Sequence, residues 1–174
     1  MKHLFWIDLE MTGLDEKEDH IIEVAAQFTD LELNLVGEPF HQVVFQPPEA
    51  LARMDDWCKK THGESGLTEK IPNGQPLHKV EESLIEFCQP YLEKKERIIL
   101  CGNSVGNDQR FIAHHMREFS KNMHYRVIDV SSYKEIFKSR WKIEFAKKNT
   151  HRALDDIIES IEELKMYLSY VKVP

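Results

Sequence analysis

The sequence predicts an α/β domain built on one mixed five-stranded sheet with helices on both faces. The chain opens with three apolar segments joined by short links, which favours an antiparallel meander. After Pro76, helical periodicity alternates with two short apolar segments, which is typical of parallel strands joined by helices. The first segment, Leu4–Met11, leaves neither face polar apart from two acids, as expected of a strand covered on both sides.

The order of elements follows from periodicity, with glycine and proline as breakers. The predicted strands are Phe5–Leu14, Ile21–Phe28, Leu35–Phe45, Arg97–Gly102 and Tyr125–Val130. The predicted helices are short ones from Pro47 to His62, then Leu77–Glu96 with a break near Pro90, Asn107–Ser120, Ser131–Arg140 and Thr150–Tyr170. Between them, Gly63–Pro76 is weakly structured and suits a binding loop. The length of 174 residues predicts a single domain over residues 1–174.

Composition narrows the class of protein. The hydrophobic content of 41% is typical of a globular protein, and the sequence shows neither a membrane-length apolar run nor a secretory signal. The chain has three cysteines, and this odd count favours the reducing cytoplasm. The net charge of −7 argues against coating of long nucleic acid. Residues 97–152, however, carry twelve Lys and Arg against five Asp and Glu, which suits either an anionic ligand or a solvated basic face.

The first candidate site residues are the two acids in the first strand. Side chains alternate along a strand, so Asp8 and Glu10 project from the same face. Two carboxylates buried side by side are costly unless a cation offsets their charge, and Mg²⁺ or Mn²⁺ suits such oxygen ligands. The alternative is an exposed edge strand that ends in solvated acids.

Two predicted helix starts contribute further candidates. Asp108 shares the apolar stripe of its helix with Phe111 and Ile112, so it is either a buried ligand or an N-terminal capping residue. His151 is expected just before the last helix, with Thr150 as N-cap, and periodicity does not choose between Asp155 and Asp156.

Together these groups predict a reaction class. Four carboxylates balance the charge of two divalent ions, the arrangement that stabilises the attacking and leaving oxygens of a phosphoryl displacement, and a histidine suits the general base. No serine or cysteine nucleophile arrangement competes. The glycines of Cys101–Gly106 are too few for a phosphate-binding loop.

Three segments of the chain resemble the motifs of the DEDDh exonuclease superfamily, and within it the oligoribonuclease family. They are Trp6–Leu14, Gly102–Phe111 and His151–Asp156. The likeness extends through Met54–Trp57, Thr61–His62, Ser65–Leu67 and His124–Ser131, so it spans nearly the whole chain. The resemblance implies a ribonuclease H-like fold, a homodimer, and two-metal 3′-to-5′ hydrolysis of short RNA to 5′-mononucleotides.

The resemblance also implies roles for individual residues. It assigns the metals to Asp8, Glu10, Asp108 and Asp156, and the base to His151. It assigns base binding to Leu14 and His62, and the 5′ phosphate end to Ser104, Tyr125, Arg126 and Ser131. Two alternatives stay open, a DNA-proofreading 3′-to-5′ exonuclease and a non-catalytic nucleic-acid-binding adaptor on the same fold.

Overall fold

A computed structural model describes residues 2–94, 96–146 and 152–172. The strands are β1 (Leu4–Met11), β2 (Ile21–Thr29), β3 (Leu35–Val43), β4 (Ile98–Gly102) and β5 (Met123–Asp129). The helices are α1 (Pro48–Ala52), α2 (Asp56–Glu64), α3 (Leu77–Cys88), α4 (Gly106–His115), α5 (Arg117–Ser120), α6 (Val130–Trp141) and α7 (Ala153–Ser169), with 3-10 turns at Ile71–Asn73 and Gln89–Tyr91. None of the helices in these ranges is long and apolar enough to cross a membrane.

The five strands form one mixed sheet in the order β3-β2-β1-β4-β5. β1 pairs antiparallel with β2, and β2 with β3, which confirms the predicted meander. On its other side β1 pairs parallel with β4, and β4 with β5. β1 is therefore the central strand, and its carboxyl end lies at the same edge of the sheet as those of β4 and β5.

Helices cover both faces of the sheet, as predicted. Phe5, Ile7 and Leu9 of β1 belong to an apolar layer shared with α3, α4 and α5. Leu4 and Trp6 belong to a second layer, shared with α6 and α7. Because side chains alternate along the strand, Asp8 and Glu10 continue the face that carries Trp6 and meet α7.

Two predictions about helices and loops need correction. The helix predicted over Asn107–Ser120 is two helices, because Met116 leaves the helical conformation (φ −121°, ψ 65°). The bend places the buried Phe119 over α3, where its N–H donates to Glu81. The Gly63–Pro76 stretch is more ordered than predicted, since α2 runs to Glu64 and a 3-10 turn follows at Ile71–Asn73.

The boundaries and the buried stripe of α7 also differ from the prediction. The helix begins at Ala153, three residues after the predicted start. Ile158 and Leu168, which the helical periodicity of hydrophobic residues places on the apolar stripe of this helix, are 37% and 40% exposed. Tyr167 is fully buried instead. The face of α7 that packs on the sheet is therefore rotated about the helix axis relative to the stripe of hydrophobic residues.

Candidate active site

Three carboxylates meet where β1 ends against α7. Asp8, Glu10 and Asp156 each offer an oxygen within 4.8 Å of the others, the one such group of potential metal ligands among the described residues. The buried stripe of α7 packs on the Trp6 side of the sheet and so brings Asp156 to the two strand acids. Asp155, which periodicity left as an equal candidate, is exposed.

Asp108 approaches the same place from the other face of the sheet. Its helix, α4, packs against the Phe5 layer, and its side chain is 5% exposed, as predicted for a residue of the buried stripe. The Oδ1 atom accepts a 2.9 Å hydrogen bond from the N–H of Leu9, the residue between the two strand acids. Asp108 therefore lies against the β1 backbone and is not part of the group of three carboxylates.

Burial and mutual repulsion disfavour ionisation of these acids. Burial, followed by the charges of Asp156, Glu23 and Asp108, raises the pKa of Glu10 to about 8. Burial also raises the pKa of Asp108 to about 7, against the hydrogen bond from Leu9. A bound cation would reverse this effect, because an opposite charge nearby favours the ionised form. Carboxylate oxygens are also the ligands that hard divalent cations prefer, so the cluster fits a divalent metal.

A buried ion pair holds the start of α7 beside this cluster. Glu23 of β2 is fully buried and lies directly opposite Glu10 in the antiparallel register. Its carboxylate accepts hydrogen bonds from the Arg152 guanidinium, from the Ala153 N–H at 3.0 Å, and from His41 at 2.8 Å. Although burial opposes it, these donors lower the pKa of Glu23 to about 2. Glu23 therefore stays ionised at neutral pH, whereas the raised pKa of Glu10 favours its protonated form.

A cavity of about 360 Å³ opens beside Glu10. Leu14 and Trp57 line it with side chains that are 68% and 60% exposed. His62 also lines it but is only 1% exposed, and its Nε2 donates to the Met11 carbonyl at 2.9 Å. Its Nδ1 lies 3.8 Å from a Glu10 oxygen, so the wall of the cavity is continuous with the acid cluster.

The predicted 5′-end residues fall into two separate groups. Ser104, with a positive φ of 51°, donates its N–H to Ser131 Oγ at 2.7 Å and to Asp129 at 3.0 Å. This pair lies at the carboxyl ends of β4 and β5, the edge of the sheet that carries the acids.

Tyr125 and Arg126 lie four and three residues before the carboxyl end of β5. Asp129, the last residue of β5, pairs with Gly102, the last residue of β4. Tyr125 lies four residues before Asp129, a distance of about 13 Å along an extended strand. Tyr125 is 75% exposed, and the Arg126 guanidinium lies 4.8 Å from the centre of its ring. Within one chain, therefore, these two residues do not join the serines.

The predicted base, His151, lies outside the described residues, so its placement stays a prediction. Two residues beside the acids were not singled out from the sequence. Glu23 interrupts an otherwise apolar predicted strand, and a charge inside such a run was a usable signal. Trp57 belongs to the Met54–Trp57 segment of the family resemblance but was given no role there, because its exposure beside the cavity depends on the fold.

Comparison with known proteins agrees with this geometry. The Exonuclease family model matches residues 5–164. An oligoribonuclease of Vibrio parahaemolyticus is 48% identical over 171 residues, covering 95% of this chain and 93% of the relative. An oligoribonuclease of Shewanella sp. strain W3-18-1 is 47% identical over 176 residues, covering 98% and 96%.

A similar fold is found in a solved structure of a larger protein. A zinc-bound complex of E. coli exonuclease I with single-stranded DNA matches 97% of this chain with a TM-score of 0.75 at 14% identity. The match spans only 40% of that exonuclease, so it supports the fold alone. The match of the family model over most of the chain, together with relatives that are nearly half identical along their length, shows that this chain belongs to the exonuclease family.

Proposed function

We propose that the protein is a 3′-to-5′ exoribonuclease that hydrolyses very short RNA oligonucleotides to 5′-mononucleotides. The observation that carries the proposal is the cluster of Asp8, Glu10 and Asp156 beside a cavity with exposed apolar side chains. The Vibrio and Shewanella relatives carry the name oligoribonuclease, which supports short RNA as the substrate.

The carboxylates Asp8, Glu10, Asp108 and Asp156 are the proposed ligands of two divalent ions, Mg²⁺ or Mn²⁺. When bound, such ions offset the charge of the acids and stabilise the attacking and leaving oxygens of a phosphoryl displacement. The elevated pKa values of Glu10 and Asp108 support this assignment, because the protein alone does not balance their charge. Asp108 would join the cluster by turning its carboxylate from the Leu9 N–H.

His151 is the proposed general base. It precedes Arg152, which is anchored to Glu23 at the edge of the acid cluster. In the reaction the imidazole would accept the proton of the attacking water, so it must be neutral beforehand.

The 3′-terminal base is proposed to bind in the cavity beside Glu10. Leu14 and Trp57 offer exposed apolar faces there, and His62 forms part of the wall. Stacking of this kind accepts any base, because every base has an apolar face.

The 5′ end requires groups from two subunits in this proposal. Ser104 and Ser131 lie on the same edge of the sheet as the acids, whereas Arg126 and Tyr125 lie about 10 and 13 Å back along β5. A homodimer in which the partner contributes its own Tyr125 and Arg126 would complete the site. Arg126 suits this role because a guanidinium binds phosphate through two parallel hydrogen bonds.

Residues 1–174 are proposed to act as one exonuclease domain in the cytoplasm. The match of the family model over residues 5–164 supports the single domain. The three cysteines are buried and free, which supports a reducing compartment.

The test is turnover of matched RNA and DNA dinucleotides with Mg²⁺, with Mn²⁺ and with EDTA. We expect metal-dependent release of mononucleotides, faster on RNA. Faster turnover of DNA would favour the proofreading alternative. Binding without hydrolysis at any metal concentration would favour the adaptor.

A further inference from the structure

Glu23 is a fully buried and extensively hydrogen-bonded side chain near the acid cluster. Every residue of β2 is buried, so the backbone that carries Glu23 is held rigidly inside the sheet. The Glu23 carboxylate accepts from four donors, namely Arg152 Nε and Nη2, Ala153 N–H and His41 Nε2. Three of these donors belong to the two residues at the start of α7.

Stability alone does not explain a charge at this position. A buried ion pair seldom stabilises a fold more than well-packed apolar residues of the same volume. Glu23 also lies directly opposite Glu10 in the strand register, where a second negative charge is repulsive. A role for the negative charge in holding α7 accounts for both costs.

The anchored residues determine where Asp156 lies. Arg152 is the N-cap of α7 and, among the described residues, makes no capping hydrogen bond with its own side chain. The Glu23 carboxylate supplies that cap from the sheet, through Ala153 N–H at 3.0 Å. The Asp156 N–H donates to the Arg152 carbonyl at 3.0 Å, so Asp156 is one helical turn from the anchored residues.

We propose that Glu23 is a positioning residue, which caps α7 from β2 and thereby holds Asp156 against Asp8 and Glu10. The consequence for metal binding rests on the proposed function, whereas the capping role does not. Without the negative charge, an amide at this position keeps only one acceptor oxygen and turns an NH₂ donor towards the donors at the start of α7, so the spacing of the three carboxylates is no longer fixed. Groups that orient metal ligands in this way typically change metal affinity by about 10–100-fold when they are replaced.

The test compares Glu23→Gln with Glu163→Gln. Both substitutions replace a fully buried, hydrogen-bonded carboxylate with an amide of the same shape. Glu163 lies on the same helix, accepts from Asn103 and Tyr167, and is about 10 Å beyond Asp156 along the axis. Amide hydrogen exchange of residues 152–157 measures the cap, and calorimetric titration with Mn²⁺ alone measures the cluster.

Glu23→Gln should speed exchange in residues 152–157 by about tenfold or more and weaken Mn²⁺ binding by about 10–100-fold. Glu163→Gln should lower the free energy of unfolding while leaving both readouts as in the wild type. Equal exchange in the two variants, or wild-type Mn²⁺ affinity in Glu23→Gln, would overturn the proposal. If Glu23→Gln does not fold, Arg152→Gln removes the guanidinium from a partly exposed position and should change both readouts in the same direction.

The experiment separates the two proposals. A wild-type protein that binds no Mn²⁺ and releases no mononucleotide would contradict the proposed function. The exchange contrast would still decide whether Glu23 caps α7.

Discussion

Replacement of Glu10 with Gln should stabilise the metal-free protein at alkaline pH. The Glu10 side chain is 15% exposed, and burial together with neighbouring carboxylates raises its pKa from the ordinary 4.5 to about 8. At about 1.4 kcal/mol per pH unit, this difference sets an upper limit of about 5 kcal/mol on the cost of ionising Glu10 in the folded protein. Part of this cost is repulsion between Glu10 and the carboxylates of Asp108 and Asp156, and such repulsion belongs to the pair of groups and not to Glu10 alone. The stabilisation measured for Glu10→Gln should therefore be smaller, at about 2–4 kcal/mol.

The direction of the pH dependence follows from proton binding. Between pH 4.5 and about 8 the unfolded chain has lost the Glu10 proton and the folded protein retains it. The free energy of unfolding therefore falls as the pH rises through this window. Glutamine carries no charge at any pH, so the free energy of unfolding of Glu10→Gln should lack the part of this fall that comes from residue 10. The Glu23 contribution has the opposite sign and is lost only as the pH falls from about 4.5 towards 2.

The assay is urea unfolding in EDTA at half-unit steps from pH 5 to 8, followed by circular dichroism. The quantity of interest is the difference between Glu10→Gln and wild type, because titrating groups remote from residue 10 contribute equally to both proteins. Glu38→Gln, at an exposed position on β3, is the matched control and should follow the wild type. A difference that stays constant from pH 5 to 8 would refute the reasoning.

Further substitutions test the other assignments. Asp8→Asn should abolish hydrolysis and reduce the rise in Tm that Mg²⁺ produces, as measured by calorimetry, while the metal-free protein stays at least as stable as wild type. His151→Ala should lower kcat by about 10²–10⁴-fold and keep the Mn²⁺ affinity. If this variant instead loses Mn²⁺ binding and retains turnover, His151 is a metal ligand and not the general base. Arg126→Ala should slow cleavage of dinucleotides more than that of longer oligomers, since these have other phosphates to bind. Tyr125→Ala subunits refolded with Asp8→Asn subunits should regain up to about half of the activity per heterodimer, and no recovery would exclude the shared site.

The sequence was most informative where burial conflicted with charge. Asp8 and Glu10 interrupt a strand that is apolar on both faces, and this conflict identified two of the three carboxylates of the cluster. The same reasoning placed Asp108 on a buried stripe, where it lies. Short links between the first three strands were enough to predict their antiparallel meander.

What the sequence did not reveal depends on contacts between distant residues. Periodicity could not separate Asp155 from Asp156, because the face of α7 that meets the sheet depends on the packing of Tyr167 and Ala153. The bend at Met116 follows from the contact of Phe119 with α3, which no local signal encodes. The separation of Tyr125 from Ser104 required the register of β5.

The most direct test of the account follows a 5′-labelled RNA pentamer through hydrolysis by wild type, Asp156→Asn and Asp155→Asn. Asp156 belongs to the three-carboxylate cluster, whereas its neighbour Asp155 is exposed, so the two variants are matched in chemistry and position. Wild type and Asp155→Asn should shorten the labelled strand one nucleotide at a time with Mg²⁺ and not with EDTA, and Asp156→Asn should leave it intact. Hydrolysis by Asp156→Asn at the wild-type rate, undiminished cleavage in EDTA, or immediate release of the label as a mononucleotide would contradict the account.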